Sequence, residues 1–334
     1  MTRTVTDTRR GPKLHPGLHG LELRDWLLVD EHTFAEQLGE KESALAHRRD
    51  EVLQASGHFG AQEEVRQMVI EHLLARYPEH YTREEESIGV AVGGYERSVD
   101  VPAAQPAGAP PLEAAAGAPP LEAAFRLVQE DLVLMQRASS EEAGGEEADP
   151  EYRIAAAAVA FSFGNLEERV GSRHSMAELH AKVGNYDRDL HKPVARAMHA
   201  LKPGSPMWRT NWTFSFSGSM TRPKQQVLNL ERLGPSDADA LVARIDASGV
   251  AEVLFVKTEY QTLRRLPQHT DFVLFTVRTL LTPMSALEGL PAAAALLAEN
   301  VRGAAELDFR FYKGLGDRRI VERVVEYLDR CARV

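Results

Sequence analysis

The chain has 334 residues, 43% hydrophobic and 26% charged, enough for one large domain or two modest ones of an ordinary globular protein. Its net charge of -10 and pI near 5.7 argue against a nucleic-acid surface, which needs a concentrated cationic face to displace phosphate counterions. Its one cysteine, Cys331, rules out an intrachain disulfide, a cysteine-rich zinc site or an iron–sulfur cluster from this chain alone, while twelve histidines leave haem ligation open.

Residues 1–20 read as a flexible leader of Thr, Arg, Pro and Gly, polar and without an apolar signal core. Apolar spacing predicts amphipathic helices over 31–47 and 62–77, the second ended by Pro78. Between 101 and 120 the segment Ala109-Pro-Pro-Leu-Glu-Ala-Ala recurs from Ala118, a duplicated surface linker whose second copy leads toward Leu127 to Leu134. Residues 138–150 form an acidic, glycine-bearing loop. The longest apolar run, Ile154 to Phe163, contains Ser162 and is too short for a membrane span; it fits a buried strand over 152–163, and a cytoplasmic location is the default expectation. Short helical turns at 166–170 and 176–179 precede a helix at 190–201, a strand at 208–216 and a helix at 236–247 with Ser236 as its cap. Two strands, 253–262 and 272–281, alternate apolar and polar residues around a corner at Pro267, and a helix at 285–303, a short strand at 309–312 and a helix at 318–332 complete the chain. Helices grouped around paired strands predict an α+β fold with an antiparallel sheet, and residues 21–334 read as one such domain.

The corner puts Arg264 and Arg265 at a strand end, where a planar guanidinium matches a carboxylate such as a haem propionate or a folate glutamate. Strand neighbours point to opposite faces, so one of the pair faces a given pocket; the plainer alternative is a surface ion pair. Glu259 and Gln261, two apart, point the same way, and the carboxylate is placed to hold a protonated amine or relay protons; the plainer alternative is an exposed strand residue. Arg209, Asn211 and Trp212 form a second polar and aromatic cluster, with Asn211 able to hydrogen-bond an amine. Arg278, mid-strand between apolar residues, requires a partner. The chain lacks G-x-G-x-x-G and Walker-type patterns, so NAD or flavin is not expected to bind it directly.

Several separated blocks resemble the haem-dependent oxidative N-demethylases: Asp25-Trp26-Leu27-Leu28-Val29-Asp30-Glu31, Leu127-Val128-Gln129-Glu130-Asp131-Leu132, Leu179-His180-Ala181 with Val183-Gly184-Asn185-Tyr186, Arg209-Thr210-Asn211-Trp212, Gln261-Thr262-Leu263-Arg264-Arg265-Leu266-Pro267, Val273-Leu274-Phe275-Thr276-Val277-Arg278-Thr279 and Tyr312-Lys313-Gly314-Leu315. The resemblance implies a PAS-like sheet with flanking helices, haem b held by His180 as iron ligand, and Arg209, Arg264 and Arg265 toward the cofactor, with Glu259, Gln261 and Asn211 toward the substrate. It also implies a small methylated amine and O2 as substrates, electrons from NADPH through a separate flavin/iron–sulfur reductase, and tetrahydrofolate to take up formaldehyde. Lys182 and Gly184 replace the prolines of the family's segment after the histidine, which loosens that loop; His191 is the fallback ligand. A histidine hydrogen-bonded at a helix end is the alternative on residue type alone. Two other readings stay open: a haem oxygenase acting on a different nitrogen-bearing substrate, and a non-catalytic PAS-like sensor.

Overall fold

The alternating runs between Phe255 and Pro283 form the middle of a seven-stranded antiparallel sheet in the computed structural model, which describes residues 5–7, 11–13, 16–101, 118–139, 150–172, 174–181, 183, 185–220, 235–305 and 313–333. In chain order, β1 (Val5–Asp7) and β2 (Gly11–Lys13) pair with each other. They are followed by β3 (His19–Gly20) and β4 (Leu53–Gln54). Next come β5 (Tyr81–Arg83), β6 (Ser87–Val92) and β7 (Tyr95–Asp100), which make a separate three-stranded sheet. The remaining strands are β8 (Asp131–Arg137), β9 (Tyr152–Ala158), β10 (Met207–Ser215), β11 (Phe255–Arg265) and β12 (Phe272–Pro283). The large sheet runs β3-β10-β11-β12-β8-β9-β4 with every pairing antiparallel.

Helices α1 (Phe34–His47), α2 (Arg49–Val52), α3 (Phe59–Arg76) and α4 (Pro120–Phe125) supply one core with Trp26, Leu132, Leu134, Phe272 and Leu274. The short α5 (Leu166–Arg169) and α6 (Met176–Leu179) and the longer α7 (His191–Ala200) pack a second core with Val133, Met135, Tyr152, Leu263 and Val273. Helices α8 (Pro235–Ser248), α9 (Val250–Val253), α10 (Pro291–Ala305) and α11 (Arg318–Cys331) build a third around Trp212, Phe214 and Leu254. Leu132 and Leu134 point to one core and Val133 to another, as the period of two requires. Helices and antiparallel sheets together make the fold α+β, as the sequence predicts.

The register sets three cross-strand rows on the face that carries the second core: Asn211–Glu259–Thr279, then Arg209–Gln261–Val277–Asp131, then Met207–Leu263–Phe275–Val133. The opposite face also takes buried charges. Arg278 donates to Gln37 and to Thr33 at 3.3 Å, and lies 3.8 Å from Asp30. Lys41 donates to the carbonyls of Phe125, Val128 and Glu130. Burial pulls this lysine's pKa down to about 7, yet three acceptors match the three donors of an ammonium, and we take the charged form as the one held.

Four differences from the sequence expectation have physical causes. The helix expected over 285–303 is split into a 3-10 turn, Met284–Gly289, and α10, because Pro291 has no N–H and disfavours helical geometry at Leu290. The β5–β7 sheet is not evident in the sequence, since its apolar residues Ile88, Val90 and Val92 make only a short stripe interleaved with glycine and alanine between the charged runs at 84–86 and 96–97. Helix α8 begins at Pro235, one residue ahead of the serine expected to cap it. Strand β9 stops at Ala158 because Asp131 accepts the N–H groups of Ala160, Phe161 and Ser162 at 2.8, 3.0 and 2.7 Å and bends the chain away. The duplicated linker at 102–117, the acidic loop at 140–149 and the strand expected at 309–312 lie outside the described residues.

Arg265 ties α7 to the sheet. Its guanidinium donates to the carbonyls of Leu201 (2.6 Å), Met198 (2.6 Å), His199 (3.3 Å) and Thr270 and to the Tyr152 hydroxyl at 3.0 Å. Arg265→Met strands these buried acceptors and is expected to lower unfolding stability by about 3 kcal/mol, read as a lower denaturant midpoint at unchanged slope. Gly93, at φ 54 in the β6–β7 turn, would place a Cβ 2.0 Å from the Glu31 carbonyl oxygen. Gly93→Ala is expected to cost more than about 2 kcal/mol in the same measurement.

Candidate active site

The floor of the site is polar because β10 and β11 turn Arg209, Asn211, Lys257, Glu259 and Gln261 to one face. Glu259 is buried and accepts from Asn211 Nδ2 at 3.3 Å and Gln261 Nε2 at 2.9 Å, with Lys257 Nζ at 3.1 Å from its other oxygen. Burial alone would push the Glu259 carboxyl up; Lys257, Asn211 and Gln261 together outweigh it and hold the group below the ordinary carboxylate range, as an anion. Lys257 also donates to the carbonyls of Phe161 and Ser162 at 3.1 and 3.2 Å, so the loop that closes on Asp131 also closes on the floor. At the edge, Lys313 donates to Asn211 Oδ1 at 2.6 Å and to the Trp212 carbonyl at 2.7 Å, with Nζ 4.9 Å from the Trp212 ring. Burial, and then the Arg209 charge, pull its pKa down to about 7 against the opposing pull of Glu259.

His180 follows α6, whose start is fixed by a capping box: the Ser175 hydroxyl accepts the Glu178 N–H and the Glu178 carboxylate accepts the Ser175 N–H. The Met176 carbonyl lies 2.8 Å from His180 Nδ1. A carbonyl only accepts, so Nδ1 carries the proton and Nε2 keeps its lone pair. Burial lowers the pKa of the imidazole, Arg169 and Arg209 act in the same sense, and the Met176 carbonyl opposes them. The ring stacks on Tyr186 at 4.4 Å and 7°. Asn185, at φ 62, turns the chain into the π-helical turn Tyr186–Leu190, which presents that tyrosine. His191 meets Tyr186 edge-on at 6.2 Å and lies 3.6 Å from Glu151, so the fallback ligand already faces a carboxylate.

The structure therefore brings Asn211, Glu259 and Gln261 into one hydrogen-bonded group, with Arg209 in the same face and within electrostatic reach of His180. It does not bring Arg264 there. Arg264 points to the opposite face, its guanidinium 4.1 Å from the Trp26 ring, where burial pulls its pKa down to about 10 against Glu71 and Glu64. Arg265 shares the face of Glu259 but serves the α7 carbonyls described above. His269 pairs with Glu64 at 2.6 Å, and His174 contacts Ser172 and the Glu168 carbonyl. The groove lined by Gly20–Leu23 and Ala197–Met207 lies at the β3 edge, and none of the candidate site residues lines it.

Three participants escape a reading by sequence. Lys257 is two residues before Glu259, so the same alternation that pairs Glu259 with Gln261 includes it. Lys313 and Tyr186 stand within family-like blocks, but no spacing connects either to its partner. Lys313 also gives a pH signature. Its folded pKa lies below the unfolded value of about 10.4, so between about pH 7 and 10 the unfolded chain holds a proton the folded chain has released, and stability rises with pH. The slope from this one lysine reaches at most about 1.4 kcal/mol per pH unit. Unfolding of Lys313→Met against pH is expected to show a smaller slope than wild type in that window.

The donor set suits haem. A single neutral imidazole with a free Nε2 is a common axial ligand for haem iron. Among the described residues, no group of three or more His, Cys, Asp or Glu is placed to hold a metal ion by itself. The buried polar atoms Tyr186 Oη, Thr279 Oγ1 and Ser162 Oγ have no hydrogen-bond partner among the described residues. Phe163, Leu179 and Phe275, partly exposed at the border of the second core, offer apolar surface to a macrocycle. No helix among the described residues is long and apolar enough to cross a membrane. Comparison with curated proteins gives no match. A profile described as haem-dependent oxidative N-demethylase, alpha subunit-like, matches residues 17–321, and an alpha subunit implies further subunits. The match covers nearly the whole chain, which belongs to the haem-dependent oxidative N-demethylase alpha subunit-like family.

Proposed function

We propose that the protein is the haem b subunit of a monooxygenase that demethylates a small secondary amine. The balanced reaction takes the N-methyl amine, O2, two electrons and two protons to the primary amine, formaldehyde and water. Electrons come from NADPH through a separate flavin and iron–sulfur reductase, and a folate that captures formaldehyde belongs to the same proposal without an assigned residue in this chain. Bound haem would supply oxygen activation and oxidation of the carbon next to nitrogen.

The observation that carries the reading is the His180 arrangement: Nδ1 fixed on a main-chain carbonyl, the ring neutral and stacked, Nε2 available. This is the outer-shell support a ligating histidine uses to keep its tautomer and orientation. Arg209, on the His180 side of the sheet, is the guanidinium we assign to a propionate. Asn211, Glu259 and Gln261 line the place where the amine binds, and Tyr186 holds the His180 ring.

The absorption spectrum of the purified protein with added haem tests this. Wild type is expected to develop a Soret band that is shifted or lost in His180→Ala. No band in wild type would refute the haem reading. Haem uptake without amine-dependent O2 consumption in the presence of a reductase would favour a sensor.

A further inference from the structure

Gln261 stands mid-floor between Arg209 and Val277, half-buried. Its amide orientation follows from its partner: Glu259 is a carboxylate, which only accepts, so the group 2.9 Å away is the NH2 and Oε1 is directed away from Glu259. Asn211 is fixed likewise, because Lys313 Nζ can only donate to Oδ1 and so turns the Asn211 NH2 toward Glu259. Glu259 thus receives three donors from inside the protein, and Lys257 has its remaining protons on Phe161 and Ser162. Gln261 Oε1 has no hydrogen-bond donor among the described residues, and it is not among the atoms sealed from the surface.

We infer that Gln261 Oε1 accepts the N–H of the secondary amine, that the site takes this amine in its neutral form, and that Glu259 is a positioning residue orienting Gln261. The inference rests on the demethylase reading above. The charged groups on the same face as Gln261 are Lys257 and Glu259 on its own strand, Arg209 on β10 and Asp131 on β8, with Lys313 at the β10 edge, and the neutral His180 ring is within electrostatic reach of Arg209. Both carboxylates are engaged by three donors inside the protein, Asp131 by three main-chain N–H groups. With Lys257 and Arg209 set against Glu259 and Asp131, and Lys313 adding charge where it is protonated, an ammonium would meet no net negative charge, and each carboxylate already accepts three donors. A neutral amine meets an unused carbonyl oxygen.

Calorimetric titration with dimethylamine from about pH 6 to 9 tests the inference on haem-loaded protein, or on protein as purified if no Soret band forms. The neutral fraction of the amine grows tenfold per pH unit below its own pKa, so the apparent Kd is expected to fall about tenfold per unit in wild type. A contribution from Lys313 would level off above about pH 7, whereas this fall continues to the end of the range. Gln261→Leu is expected to weaken binding at least tenfold at every pH. Gln261→Glu, similar in shape and so a safeguard should the leucine variant not fold, is expected to accept the ammonium and make Kd independent of pH. A wild-type Kd that does not change or rises with pH, absence of binding, or a Gln261→Leu protein that binds as wild type does would overturn the inference. Failure of the haem reading shows separately, as a missing Soret band.

Discussion

Each charge that β11 and β12 carry into the sheet must find its partner inside the protein, because a buried ion without one costs several kcal/mol, a large part of the stability of a whole domain. The structure meets this requirement separately on each face. On one face, Arg278 takes Gln37, Thr33 and Asp30, which ties α1 to the middle of the sheet. On the other, Glu259 takes Lys257, Gln261 and Asn211, and these recruit the Phe161–Ser162 loop and Lys313 in turn. The positions of α1, of that loop and of the segment at Lys313 are consequences of where β11 and β12 put charge.

The alternation along 255–283 was enough to predict both strands, their antiparallel pairing, the corner, and the opposite directions of Arg264 and Arg265. It also gave Glu259 and Gln261 a common face. It did not show which arginine would meet which environment, since Arg265 depends on the carbonyls of Met198 and Leu201, more than sixty positions away. Lys313 is farther still from Asn211. Periodicity reports which face a side chain occupies, whereas the identity of its neighbour depends on how distant segments pack. The same limit explains β5–β7, a small sheet whose apolar stripe is three residues wide.

His180 shows how a short local motif and tertiary burial combine. The capping box at Ser175 and Glu178 is local and sets where α6 begins, and hence where the Met176 carbonyl meets the ring. The neutral state of the ring is not local: burial leads, with Arg169 and Arg209 adding to it. A protonated imidazole has no lone pair to give, so cations that look unhelpful beside a histidine serve a ligand by keeping it unprotonated. Arg209 holds down the imidazole pKa from a position in the same face as Glu259.

Glu259 illustrates why a buried carboxylate in a site is not by itself an acid or a base. A general base near neutrality needs its pKa raised by burial with few donors, so that its proton affinity approaches the working pH. Here burial pushes that way and three donors prevail over it, which leaves an anion that reacts weakly with protons but orients amides well. The two amides it holds, Asn211 and Gln261, differ in what remains: Lys313 occupies the Asn211 oxygen, while the Gln261 oxygen has no donor among the described residues. The carboxylate thereby converts its charge into a direction, turning a neutral acceptor away from itself on the face that carries Arg209.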